Sequence, residues 1–301
     1  LRDSKFTGTT PSLLVVGDPW ESMFIARWLR LISRKNLPIQ SQIHAALDNN
    51  WFQKNPINFL RKSLTASNLR MSDSIRVSDK KLITKYSEKF SVPKKRFFNS
   101  PVALNLDYQS VKIHTEQRLS TIGFVGRLHS ERGIDLLLEL LGILVSSCTD
   151  INAEIFGDGP EAERIRSFIR QNGLENRIKL HGYLPRDRHE EIWQKIGALV
   201  STAETESYGR AIREALVHGI PVISLPTDGT NDIQDVAEGR HLIILGKNVL
   251  LQKFPLIARV AIGEKTSDVY LEHFRSADDV SSNSLILSWI NLTSDTQRYR
   301  V

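Results

Sequence analysis

Two glutamates eight positions apart stand in the run Glu206-Ser207-Tyr208-Gly209-Arg210-Ala211-Ile212-Arg213-Glu214-Ala215. The apolar stretch before them, 198–201, reads as a short buried strand, and residues 208–218 read as a helix. Glu206 then lies in the loop after the strand, and Glu214 about a turn and a half into the helix. The backbone amides of Ser207, Tyr208 and Gly209 open that helix. Their unpaired N–H groups and the positive end of the dipole suit phosphate or sugar oxygens. Carboxylates on either side can accept hydrogen bonds from sugar and ribose hydroxyls. The same spacing fits a surface helix carrying two solvated glutamates, and spacing alone does not choose between them. Upstream, Arg127 and Arg132 flank another strand-to-helix turn, where guanidinium forks could grip phosphate oxygens bidentately.

Other candidates carry less. Gly157-x-Gly159-x-x-Ala162 follows a strand and fits a dinucleotide fingerprint, but no acidic residue ends the next strand as nicotinamide cofactor binding requires. It reads as a structural turn, with Pro160 suited to a helix start. His44 ends an expected strand at 39–44; a lone histidine there is as often structural or solvated as functional. The sequence has no Asp-x-Asp, no Walker A run, no His-Glu-x-x-His and only one cysteine, Cys148. No metal or other cofactor is therefore expected, with Arg127 and Arg132 supplying the charge a cation would bring to a diphosphate.

These residues must be held by a regular scaffold. Strands are expected at 12–17, 39–44, 121–126, 153–157, 177–181, 198–201 and 221–224. Helices are expected at 20–33, 133–146, 160–172, 187–195, 208–218 and 282–293, with 55–90 mostly helical. Alternating strands and helices joined by short connections imply an α/β protein with doubly wound parallel sheets, binding ligand at the strands' carboxyl ends. Turns at Pro93 and Pro101 suggest a linker over 99–118.

With these motifs in place, the chain resembles the retaining GT-B glycosyltransferases of family 4 (glycosyl transferases group 1). Glu206 and Glu214 match the family's E-x7-E signature, followed by Gly219-Ile220-Pro221-Val222-Ile223. Gly126-Arg127-Leu128 with Glu131-Arg132-Gly133, Ile155-Phe156-Gly157-Asp158-Gly159-Pro160, and His181-Gly182-Tyr183-Leu184-Pro185 match three further motifs in order. The resemblance covers about residues 11–245. It implies two Rossmann-like domains, the first incomplete, and sugar transfer from a nucleoside-diphosphate donor to a glycan or lipid-linked acceptor with retention. Arg127 and Arg132 would hold the diphosphate, and Gly182 and Tyr183 the base. Glu214 would bind the ribose and Glu206 the transferred sugar, with Ser207, Tyr208 and Gly209 near the phosphates and His44 near the anomeric carbon. Arg132 replaces the usual lysine. The family's Gly-Gly-x-x-Glu loop is replaced by Asp228-Gly229-Thr230-Asn231-Asp232, which leaves a binding-only relative as the alternative.

The resemblance places a shortened acceptor-side domain at 1–105, a donor domain at 106–280 and a terminal helix and tail at 281–301. Nothing before Pro11 resembles the family's opening strand and glycine-rich loop, so an uncovered sheet edge and poor transfer are expected. Charge is uneven: residues 1–100 carry 18 Lys/Arg against 7 Asp/Glu, and residues 101–301 carry 22 against 27. The first part is thus suited to a polyanion, and the 12 Lys/Arg against 3 Asp/Glu of residues 51–100 suggest an anionic membrane leaflet. No recognisable nucleic-acid module accompanies them, so no nucleic-acid partner is expected. No apolar run reaches membrane-spanning length. A single cysteine fits a reducing, cytoplasmic setting, peripheral at most to the inner membrane face.

Overall fold

The computed structural model describes residues 13–17, 20–32, 37–43, 47, 56–78, 80–104, 106–109, 111, 119–206, 208–231, 233–234, 241–263, 274–276 and 278. Two compact units divide the chain, Leu1–Ala103 with Asp278–Val301, and Leu104–Ala277.

In the first unit, β1 (Leu14–Val16), β2 (Ile39–Gln42), β3 (Ser74–Val77) and β4 (Phe97–Asn99) form a parallel sheet in that order. Helices α1 (Glu21–Ile32), α2 (Pro56–Met71) and α3 (Lys80–Phe90) connect or flank them. Ile75 and Val77 of β3 are buried with Leu69, Leu82, Tyr86, Phe90 and Phe97. The expected helical stretch over 55–90 is therefore corrected: a strand interrupts it. Ser-Ile-Arg-Val is too short to register against the flanking helical periodicity, and its half-buried Arg76 hides the strand pattern. That guanidinium is satisfied by the Ser100 and Pro101 carbonyls and the Gln42 side chain, at 2.9, 2.7 and 3.2 Å. β4 likewise was not expected, and it runs up to the start of the region expected to be linker. The second strand ends at Gln42, short of the expected boundary, while His44 and the helix expected at 282–293 lie outside the described residues.

Helix α1 is apolar on more than one face. Met23 and Ala26 are buried, yet Phe24, Ile25, Trp28, Leu31 and Ile32 are exposed. A helix apolar all round is one that ordinarily lies inside a protein. Among the described strands β1 pairs only with β2, and its Val15 is exposed.

The second unit holds a six-stranded parallel sheet of order β10-β9-β8-β5-β6-β7. Its strands are β5 (Thr121–Val125), β6 (Asn152–Phe156), β7 (Ile178–Gly182), β8 (Ala198–Ser201), β9 (Val222–Ser224) and β10 (Leu242–Ile244). Between them run α4 (Ile134–Ser147), α5 (Ala162–Gln171), α6 (Glu190–Trp193), α7 (Arg210–Val217) and the single turn α8 (Asp228–Asn231), and α9 (Lys247–Gly263) follows β10. The apolar runs of β5, β6 and β8 lie in a core shared with Leu137, Leu140, Leu141 and Leu144 of α4 and Phe254, Ala258 and Ala261 of α9. Phe156, Leu199 and Val222 lie in a second core with Ile212, Leu216 and Trp193, and burial on both faces is the mark of a parallel sheet covered by helices. Only four residues of the expected 187–195 helix are α-helical, preceded by a 3₁₀ turn at Arg186–Arg188. β10 and α9 were not anticipated.

Candidate functional site

Chain direction across the second sheet reverses at β5. The chain moves from β5 outward through β6 and β7, then returns to pair β8 on the other side of β5. Loops leaving β5 and β8 consequently part in opposite directions, opening a crevice at their carboxyl ends. Arg127 and Arg132 come from the first loop, Glu206, Tyr208 and Gly209 from the second.

The structure brings Arg132 and Glu206 together. The Arg132 Nη1 group donates to Glu206 Oε2 across 74 residues of sequence. Thr202 Oγ1 also donates to the Arg132 carbonyl at 2.8 Å, fastening the two loops to each other. Arg127 is exposed, and among the described residues its guanidinium makes no hydrogen bond or ion pair. Of the two arginines on the β5 loop, Arg127 is thus free among the described residues and Arg132 is already paired with a carboxylate.

Helix α7 starts from Gly209, whose φ of 71° and ψ of 55° are left-handed. The Tyr208 N–H lies 3.4 Å from Glu206 Oε1 and points it back toward the helix start. Ser207 lies outside the described residues. In the 228–232 segment, which departs from the family pattern, Gly229 packs directly on this loop. The Gly229 N–H donates to the Glu206 carbonyl at 2.8 Å, and a Cβ at Gly229 would sit 2.7 Å from the Tyr208 carbonyl carbon. Asp232 is not among the described residues.

Glu214 is buried at 4% exposure, which decides that it cannot be a solvated surface glutamate. Arg210 Nε donates to its Oε1 at 2.7 Å, and His189 Nδ1 lies 3.7 Å from Oε2. Burial pushes the Glu214 carboxyl up, but the hydrogen bonds from His189 and Arg210 and their charge outweigh it and hold the group below its ordinary value. Because this folded-state value is depressed, the carboxylate's contribution to stability is present near neutrality and is lost as pH falls through that value. Glu214→Gln is therefore expected to lower the melting temperature at pH 7, with the gap to the parent chain closing on acidification below the ordinary glutamate range. A gap independent of pH would show that Arg210 and His189 do not stabilise the carboxylate. The variant should also bind nucleoside diphosphate more weakly, by about 1–3 kcal/mol if a buried charged hydrogen bond to the ribose is lost.

Sequence reasoning missed His189 and Arg210. Arg210–Glu214 is an i,i+4 pair and was open to reading from spacing, whereas His189 arrives from a different connection. It lies on the turn after the Tyr183 loop, with Nε2 at 3.2 Å from the Leu184 carbonyl. Gly182 ends β7 with its carbonyl accepting from the Gly157 N–H at 2.8 Å, and Tyr183 is exposed beyond it. His181 pairs with Glu154 and stacks on Phe156 at 4.4 Å, fixing where the loop leaves the sheet. Among the described residues no three His, Cys, Asp or Glu side chains cluster as a metal site would, and no helix is long and apolar enough to cross a membrane.

Residues 109–244 match the family model of glycosyl transferases group 1. Curated relatives support the same family. The chain is 26% identical over 204 residues to the poly(glycerol-phosphate) alpha-glucosyltransferase of Bacillus subtilis (strain 168), covering 64% of this chain and 28% of that protein. It is also 26% identical over 202 residues to the poly(ribitol-phosphate) alpha-N-acetylglucosaminyltransferase of Staphylococcus aureus (strain COL), covering 60% and 38%. The chain thus spans well under half the length of these glycosyltransferases. The crystal structure of Anabaena HepE in complex with UDP-glucose superposes with a TM-score of 0.68 at 16% identity, covering 96% of this chain and 78% of that one. The two parallel sheets are those of the GT-B fold.

Proposed function

We propose that the chain moves a sugar from a nucleoside-diphosphate donor to a glycan or lipid-linked acceptor with retention at the anomeric carbon. The carrying observation is the meeting of Arg132 with Glu206, beside the free Arg127 and the start of α7, at the switch point of the second sheet. In the reaction the bond from C1 to the diphosphate oxygen breaks, its electron pair leaving on the diphosphate. The acceptor hydroxyl oxygen bonds to C1 on the same face and its proton passes to the departing diphosphate oxygen. Negative charge grows on the leaving group, where two guanidiniums and the amides of Tyr208 and Gly209 stabilise it. Glu206 exchanges Arg132 for sugar hydroxyls, Glu214 holds the ribose, and Gly182 and Tyr183 meet the base. Countercharge from Arg127 and Arg132 makes turnover metal-independent.

UDP is the first donor nucleotide to try, since HepE is described with UDP-glucose. At about 100 times its dissociation constant the right nucleoside diphosphate should add roughly 2.7 kcal/mol of stability. Melting curves with UDP, GDP or ADP, each with and without chelator, measure this. Flat curves for all three would overturn the donor site, and a shift that vanishes with chelator would overturn metal independence. A binding-only relative is the second reading, favoured by the 228–232 segment, whose Gly229 packs against Tyr208 instead of facing open space. Nucleotide binding without release of UDP from its sugars would select it.

The basic first hundred residues suit a polyanionic surface. The two relatives act, by their names, on polyol phosphates, which are polyanions, and an anionic leaflet at the cytoplasmic membrane face presents similar charge. We assign residues 51–100 to peripheral contact with such a leaflet, where each basic residue near the surface contributes about 1 kcal/mol. Liposome sedimentation should pellet the chain with anionic lipid and leave it in solution with neutral lipid; equal pelleting sinks the assignment.

A further inference from the structure

Arg213 precedes Glu214 on α7 and is only 2% exposed. An arginine stays charged in proteins, and a buried charge is costly unless it is well partnered. Here the guanidinium lies over the Tyr208 ring, 3.8 Å from its centroid, and 5.7 Å from that of Phe274. Its Nη1 donates to the Gly229 carbonyl at 3.3 Å. The cation thus touches both loops that close the crevice on the β8–β9 side: the one carrying Glu206 and Tyr208, and the turn α8. These loops are joined to each other through the Gly229 N–H and the Glu206 carbonyl at 2.8 Å. Thr227 and Thr230 lock the turn internally, with the Thr227 N–H donating to Thr230 Oγ1 at 2.8 Å. A methionine of similar reach would fill the space more cheaply, but it could neither donate to Gly229 nor hold the ring face by charge.

We infer that Arg213 is a positioning residue for sugar transfer, fixing Tyr208 and Gly229 so that Glu206 and the first amides of α7 keep their places. It touches neither donor nor acceptor in this assignment and acts through Tyr208 and the α8 turn. Small displacements at a reacting centre cost rate more than they cost ground-state binding. The inference rests on the transferase reading above, and its test separates the two.

Arg213→Met and Arg213→Lys would be compared with the parent chain by amide hydrogen exchange, UDP affinity and steady-state transfer. In Arg213→Met, amides of 206–209 and 227–231 should exchange about tenfold faster while those of β5 and β6 keep their protection. Transfer should fall about tenfold in kcat with the donor KM within about threefold, and Arg213→Lys, which keeps the charge but loses the planar fork, should fall between. Unchanged exchange in both loops, or a kcat unmoved in Arg213→Met, overturns the inference. So does an Arg213→Met chain that fails to fold beside an Arg213→Lys chain matching the parent in every readout, for then the residue serves stability alone. If the parent itself transfers no sugar, the transferase reading fails, and the exchange measurement still decides whether Arg213 fixes the two loops.

Discussion

Replacing Glu206 with alanine is expected to lower sugar transfer by about 10²- to 10³-fold while UDP affinity stays within about threefold. The carboxylate stands between Arg132 and the Tyr208 amide, where a transferred sugar would lie against the diphosphate. Its removal deletes an interaction made with the sugar, and leaves Arg132 free to meet phosphate. The fold should scarcely notice, because the Arg132 side chain is 29% exposed and a partly solvated pair contributes about 0–1 kcal/mol. Calorimetry with UDP and steady-state rates with the UDP-sugar measure the two quantities. Loss of UDP binding with transfer per bound donor intact would reverse the roles given to Glu206 and Glu214.

A larger structural effect is expected from Gly133→Ala. Gly133 adopts φ 68° and ψ 42° between the 3₁₀ turn Ser130–Arg132 and α4. A Cβ there would lie 2.0 Å from the Thr202 carbonyl oxygen, which is backbone and cannot swing aside. Left-handed strain and this clash together should cost about 3 kcal/mol or more. For a unit of this size that is a fall in melting temperature on the order of 10 °C. Arg132 is the preceding residue and its carbonyl accepts from Thr202, so any relief of the clash moves Arg132 and weakens UDP binding as well. Gly173→Ala is the control: its φ of 63° is similar, but nothing lies within 4 Å of its Cβ position. It should cost only about 1 kcal/mol. Equal losses in the two variants would show that the Gly133–Thr202 approach is not what limits substitution.

The six-stranded sheet was largely legible in the sequence because most of its strands are short, mainly apolar runs followed by a turn and a helix. Ala198–Ser201, for example, was expected and found at the same residues. Ser74–Val77 was hidden because four residues carry too little periodicity to interrupt two helices, and its Arg76 is satisfied by carbonyls distant in sequence. At the site, the Glu206–Glu214 spacing, Arg127 and Arg132 were visible as residue types in a pattern. Direct pairing of Arg132 with Glu206 was not, since it depends on β5 and β8 being neighbours. Arg213 was opaque for a different reason: arginine ordinarily reads as surface, and only three-dimensional packing reveals the ring faces around it.

The glycine turn after β6, whose spacing fits a dinucleotide fingerprint but which reads as a structural turn, bears on the thermodynamics of the site. Cβ positions at Gly157 and Gly159 fall 1.8 Å from the Gly126 carbonyl oxygen and 2.4 Å from that of Leu128, so the two loops run backbone against backbone. Gly126 and Leu128 donate to the Phe156 and Asp158 carbonyls at 3.0 and 2.9 Å, on either side of Arg127. Arg127 therefore projects from main chain that has already surrendered its conformational freedom during folding. What an anion must still immobilise is one side chain, at most about 2 kcal/mol of rotamer entropy, and not a loop at about 1–2 kcal/mol per residue. The main chain that carries Arg127 is preorganised by two missing methyl groups.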